Sequence, residues 1–158
     1  MSLLCIIMAM AAPSLRGFGR GRGAGDCAAQ IVALGGYART QAISQGLVYR
    51  LNLDPAARTY WLTVQREKVF EFLGEESGRT FTAPDGVDIN WDVLERADGR
   101  YVEFHPSGRT EPASIQLTDA DGVVTEVSCL SATELFRVVP AGTAAAEAAS
   151  RSTARVTP

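Results

Sequence analysis

An α+β fold is predicted, with a long N-terminal helix packed on a small, mainly antiparallel β-sheet domain. Three observations predict it. Apolar residues recur every three to four positions up to residue 45, the repeat of a helix with one buried face. From residue 47 to 139 the repeat becomes two, the mark of half-buried strands. Clusters of Gly, Pro, Asp and Asn cut that stretch into short segments, and short strands joined by brief turns pair antiparallel.

The chain opens on Met1-Ser-Leu-Leu-Cys-Ile-Ile-Met-Ala-Met-Ala-Ala12, without a charge, followed by Pro13. A helix crossing a bilayer needs ~20 apolar residues, so this run is too short to span. It also lacks the basic region that opens a secretory signal, the first charge being Arg16. The simplest expectation is that it forms the C-terminal half of a longer hydrophobic helix, with Met1 an internal methionine. Residues 17–25 then hold five glycines in nine positions, each costing a helix about 1 kcal/mol relative to alanine. Either the helix breaks here, as a joint or a linker, or neighbouring elements hold it.

Residues 26–45 form the amphipathic helix. Cys27, Ile31, Leu34, Ala38 and Ala42 fall on one narrow, small-residue face suited to close packing on a sheet. Asp26, Gln30, Tyr37, Gln41 and Ser44 lie largely opposite. Asp26 is the expected N-cap and Gly46 the expected C′ residue.

Leu47, Tyr49, Leu51 and Leu53 begin the alternation, Asp54-Pro55-Ala56-Ala57 turns the chain, and Tyr60, Leu62 and Val64 continue it. Val69, Phe70, Phe72 and Leu73 suit a strand or one helical turn, and Glu75-Glu76-Ser77-Gly78 a loop. Asp85-Gly86 is a turn, and Val87, Ile89, Trp91 and Val93 mark a half-buried strand. Turns follow at Ala97-Asp98-Gly99-Arg100, Pro106-Ser107-Gly108-Arg109 and Asp119-Ala120-Asp121-Gly122. Between and after them run Tyr101–His105, Ile115 and Leu117, then Val123, Val127 and Cys129, and Leu135–Val139. Beyond Pro140 large apolar side chains almost vanish. Residues 140–158 are expected to be disordered, the alternative being a short Ala-rich helix over 144–149.

Composition restricts function more than it specifies it. A net charge of −3 argues against nucleic-acid binding as the main task. Cys5, Cys27 and Cys129 form no metal pattern, and His105 is the only histidine. At most Cys27 and Cys129 could pair; two buried or idle thiols are the simpler reading. No nucleophilic triad can be assembled, and His105 reads as a solvated residue at a strand end. Asp88, Asp92, Glu95 and Asp98 read as the solvated side of a sheet. The Asp119–Gly122 turn lacks the later glutamate of an EF-hand loop. The glycines at 17–25 lack the strand and the Gly-Lys-Ser/Thr of a phosphate loop. No catalytic, metal or cofactor residue is therefore assigned, and a structural or assembly protein is expected rather than an enzyme.

The plan resembles that of type IV pilins and type II secretion pseudopilins. Tyr37-Ala38-Arg39-Thr40-Gln41-Ala42-Ile43-Ser44-Gln45-Gly46, running into Val48-Tyr49-Arg50-Leu51, resembles the helix-to-strand junction of the minor pseudopilin GspH/FimT family. Val102-Glu103-Phe104-His105-Pro106-Ser107-Gly108-Arg109-Thr110, then Ile115-Gln116-Leu117, resembles its Phe-x-Pro-x-Gly turn and following strand. Ala12-Pro13-Ser14-Leu15 resembles the proline part-way along its apolar helix. The prepilin signature of basic leader, Gly, Phe and a later Glu does not precede Met1, and Gly17-Phe18 follows the apolar run instead of opening it.

The resemblance implies a pilin-like fold in three regions. Residues 1–25 would be an apolar helix remnant, the membrane anchor, with a Gly/Arg-rich joint. Residues 26–139 would be the globular domain, and 140–158 the tail. It implies a structural subunit of a type II secretion pseudopilus that supports protein export, methylated at its processed N-terminus. The alternatives are a type IV pilus minor pilin in adhesion or DNA uptake, and a soluble β-sandwich binding module in which Trp61, Trp91 and Tyr101 stack on a sugar. Trp91 shares the core-facing alternation and is expected inside. Partners would be other pseudopilins or minor pilins, the secretion machinery and the inner membrane, with no cofactor and no small-molecule substrate. The anchor would be single-pass with the domain in the periplasm, although Arg16, Arg20 and Arg22 alone favour the cytoplasm for that side. Leu3, Leu4, Ile6, Ile7, Pro13 and Leu15 are the expected membrane and helix-assembly contacts, with Ala9, Ala11 and Ala12 permitting close approach.

Overall fold

The computed structural model describes residues 22–73, 78–93, 95–146 and 150. The first described element is α1 (Arg22–Gln45). Ten strands follow among the described residues: β1 (Tyr49–Asp54), β2 (Thr59–Arg66), β3 (Val69–Phe72), β4 (Phe81–Thr82), β5 (Asp88–Asp92), β6 (Glu95–Arg96), β7 (Gly99–Phe104), β8 (Ala113–Thr118), β9 (Val124–Cys129) and β10 (Arg137–Val139). They form two sheets. The first has the order β3-β2-β1-β7-β6 with β4 also on β2, and the second the order β10-β9-β8-β5. The pairings of the named strands are antiparallel. Helix α1 contacts β1 and β7 of the first sheet and β8, β9 and β10 of the second. It therefore lies along the seam that joins them.

The predicted helix face is the buried one: Cys27, Ile31, Leu34, Ala38 and Ala42 all lie in the core. Ala28, Ala38 and Ala42 bring the helix backbone close to the strands, because a methyl group holds it off no further. Gly46 ends the helix at φ +68°, its N–H donating to Ala42 O at 3.0 Å. That is the left-handed cap a C′ glycine provides.

At the N-terminal end one expectation is corrected and one open alternative is decided. Asp26 is an exposed residue inside α1, since the helix is already formed at Arg22. Helix also runs through Gly23 and Gly25, the described part of the glycine-rich stretch. Packing holds it: a β-carbon on Gly23 would stand 3.4 Å from side-chain carbons of Pro84 and Val87, and Ala24 is buried. Residues 1–21 lie outside the described residues.

The strands follow the alternation. Tyr49, Leu51 and Leu53 on β1, Tyr60, Leu62 and Val64 on β2, and Val102 and Phe104 on β7 point inward. Ile89 and Trp91, Ile115 and Leu117, and Val127 and Cys129 do so from the second sheet. Each fully buried large side chain contributes about 1.5–3 kcal/mol. The ambiguous Val69–Phe72 stretch is the edge strand β3. Glu67 and Lys68 join it to β2 with φ of 49° and 75°, the left-handed geometry a two-residue hairpin loop demands. The 75–78 loop falls mostly outside the described residues.

Beyond β10 the expected disorder does not hold over 140–146, which turn back and form a helical turn at 143–146. That is close to the short-helix alternative. The reason is Glu126 on β9, whose carboxylate accepts N–H bonds from Gly142 and Ala144. Residues 147–149 and 151–158 lie outside the described residues.

Candidate functional site

The junction between α1 and the strands is built from residues of both sequence motifs. Arg39 donates from Nη1 to Glu134 O and from Nη2 to Thr133 O, each at 3.1 Å. It ties the helix to the loop after β9. One turn earlier, a β-carbon on Gly35 would stand 3.0 Å from Cδ2 of Phe136, so that ring rests on bare helix backbone. Phe136 also packs on Phe104, ring centroids 6.1 Å apart. The 105–109 turn closes through Gly108 N–H to His105 O at 2.9 Å and His105 N–H to Arg109 O at 2.8 Å. Gly108 adopts φ +78°, and a β-carbon there would meet Ile43 of α1 at 3.3 Å. Thr110 N–H donates to Ala132 O at 2.8 Å, closing the ring of contacts. The Arg39 and Gly108 positions thus adjoin in one joint, a β-carbon on Gly108 standing 3.8 Å from Arg39 Nη2.

That joint leaves the other side of α1 uncovered. Gly25, Asp26, Ala29, Ala33, Tyr37, Thr40 and Ser44 are exposed along it, with Tyr37 at 37%. Apart from Tyr37 this surface carries small or short polar side chains, which lets another helix approach closely.

Beside the joint, His105, Pro106, Ser107, Arg109, Thr110, Glu111, Pro112 and Ala132 line an open groove of about 670 Å³. Its acids are engaged. Glu111 pairs with Arg96 at 2.6 Å, and Glu103, behind His105, pairs with Arg50 at 2.9 Å. His105 Nε2 stands 3.7 Å from Glu103 Oε2, and its side chain is partly solvated, as its strand-end position predicts.

The outward face of the first sheet carries a second cluster. The Arg50 guanidinium lies 3.5 Å from the Phe70 ring centroid and 3.7 Å from that of Tyr101. It also pairs with Asp98 at 3.2 Å. Desolvation pushes the Asp98 carboxyl up, but a backbone hydrogen bond, the Tyr101 hydroxyl and Arg50 outweigh it and hold it below the ordinary value. Burial raises the Tyr101 hydroxyl, against the pull of Arg50.

The three aromatics of the sugar-stacking alternative do not converge. Trp91 is 5% exposed in the core of the second sheet, Tyr101 is equally covered, and Trp61 stacks on Phe72 at 6.3 Å.

Asp119, considered for a cation, uses Oδ1 to accept N–H bonds from Asp121 and Val123, each at 2.9 Å. Asp88 and Asp92 are exposed on β5, while Asp98 belongs to the Arg50 cluster. No group of metal-ligating side chains occurs among the described residues. Cys27 and Cys129 are free, buried thiols. Burial pushes both up, Cys27 against a hydrogen bond with Tyr60. Leu3, Leu4, Ile6, Ile7, Pro13 and Leu15 lie outside the described residues, and no helix among those described is long and apolar enough to cross a membrane.

The roles of Arg39, Gly35, Arg50 and Glu126 are not assigned by the sequence reading. A Gly35-Gly36 pair inside a helix, and a glutamate within Val124-Thr-Glu-Val-Ser-Cys129, are the signals that could have found two of them.

A profile of the family described as "Type II transport protein GspH" matches residues 28–139. Two structures of the minor pseudopilin EpsH from the type 2 secretion system of Vibrio cholerae share the fold at a TM-score of 0.63. They are 14% and 12% identical, cover 75% of this chain, and are themselves covered over 98% and 94%. The type IV minor pilin FimU of Pseudomonas aeruginosa strain PAO1 aligns at a TM-score of 0.51 and 15% identity, over 73% of this chain and 87% of its own. No curated protein sequence matches the chain.

Proposed function

The chain belongs to the GspH family of type II transport proteins, and from that premise we propose that it is a minor pseudopilin-like structural subunit of a type II secretion pseudopilus. The observation that carries this reading is the α1 joint within the family match. A helix locked to its domain on one side by Arg39, Gly35 and Ile43 is open on the other to neighbouring subunits. The apolar stretch that precedes α1 in the sequence is read as the anchor, with Leu3, Leu4, Ile6, Ile7, Pro13 and Leu15 as membrane and helix contacts. The domain stands in the periplasm, against other pilin-like subunits and the secretion machinery. The work is assembly, with no bond-making step. A type IV pilus role is equally compatible with the fold, but no feature of the site favours it over secretion.

The test is export in a strain of the native host with this gene deleted. The full chain is expected to restore secretion, and a version lacking residues 1–21 is expected not to. Normal secretion in the deletion strain, in a host with no second copy, overturns the reading.

A further inference from the structure

Glu126 is fully buried in the middle of β9. Its neighbour Val127 points into the core, so Glu126 faces the other side of the second sheet, in register with Gln116. Three donors meet its carboxylate: Ser114 Oγ and Ala144 N–H, each 3.0 Å from Oε1, and Gly142 N–H at 2.7 Å from Oε2. The chain leaves β10 at Val139, which pairs with Glu126. Thr143 then bonds back to Pro140 O through both its N–H and its hydroxyl, and Ala146 N–H reaches Gly142 O. The segment thus folds over the strand it has just left.

The face that carries Glu126 is polar. Ser114, Gln116, Glu126 and Ser128 share that face, and the buried Ser128 hydroxyl has no partner. The covering residues, Ala141-Gly-Thr-Ala-Ala-Ala146, bring no large apolar side chain. Hydrophobic burial, which holds the opposite face, contributes little here. Charge-assisted hydrogen bonds to one carboxylate do the holding. Lifting the segment would hydrate that carboxylate, a group that water solvates readily.

We infer that residues 140–146 are a strap, latched by Glu126, that opens as a unit while the sheet beneath and the core stay folded. In the closed state it covers the Glu126 carboxylate; in the open state it uncovers it.

Hydrogen–deuterium exchange read by mass spectrometry on the full chain tests this, comparing the native protein with Glu126→Gln and with Ala144→Pro. The first variant replaces one acceptor oxygen by an N–H₂ group. The second removes a donor from the strap without touching the sheet, and decides the matter if the first does not fold. Each is expected to speed exchange in peptides covering 141–146 by about tenfold or more, the weight of one such hydrogen bond, while peptides of β8 and β9 keep their protection. Unchanged exchange over 141–146 shows that the carboxylate is not the latch. Equal acceleration in β8 and β9 shows that the segment is part of the sheet's own fold and not a strap. Either result overturns the inference.

Discussion

Gly35 and Phe136 meet with no side chain between the helix backbone and the ring, a β-carbon on Gly35 falling 3.0 Å from Cδ2. Gly36, the next residue, has nothing within 4 Å of that position. The two glycines should therefore respond in opposite ways. Gly35→Val forces the ring outward and is expected to cost about 1–3 kcal/mol, as overpacking does. Gly36→Ala is expected to stabilise by about 0.4–1 kcal/mol, because it removes only unfolded-state freedom and a poor helix former. Urea denaturation of both variants checks the pair.

Arg39 binds two carbonyls at once, so its planar fork matters as much as its charge. Arg39→Ala is expected to lose about 1–2 kcal/mol. Arg39→Lys should recover only part, since an ammonium cannot span both acceptors in the same geometry. Full recovery by lysine in the same denaturation assay would reduce the contact to simple charge.

The Arg50 sandwich should show coupling. A double-mutant cycle with Arg50→Ala and Phe70→Ala is expected to give an interaction of about 0.5–2 kcal/mol. Asp98 adds a pH dependence of known sign. Its folded value lies below the ordinary 3.8, so its stabilisation is complete above that value and is lost as pH falls through the lower folded value. Asp98→Asn should therefore flatten the acid limb of the stability profile and leave the neutral region nearly parallel.

Burial protects Cys27 and Cys129. A thiol reacts as its thiolate, so alkylation by iodoacetamide at neutral pH should spare both in the native protein and reach them on unfolding, as peptide mapping will show. Rapid native labelling of Cys27 would contradict its place on the buried face of α1.

Much of this architecture is legible in the residue pattern because one physical rule governs it. Cys27, Ile31, Leu34, Ala38 and Ala42 repeat as a helix face must, and Val87, Ile89 and Trp91 repeat as a strand face must. Both faces bury. The pattern fails where contacts distant in sequence override local preference. Gly23 remains helical because Pro84 and Val87 pack against it, some sixty residues away. Glu67 and Lys68 take a hairpin geometry that favours asparagine and glycine. Ala141–Ala146 cannot order themselves by burial, and do so through a single glutamate on another element. The joint is half legible: Arg39 and Gly108 stand out as motif residues, but nothing in their spacing says that they meet.

The central claim is that the open side of α1 is where neighbouring subunits pack. Photo-crosslinking in the native host, with p-benzoylphenylalanine at Tyr37 in cells actively secreting, tests it most directly. The account predicts a covalent adduct with another pilin-like subunit, mapped by mass spectrometry to that subunit's N-terminal helix. Efficient incorporation with no such adduct, while secretion proceeds, would contradict it.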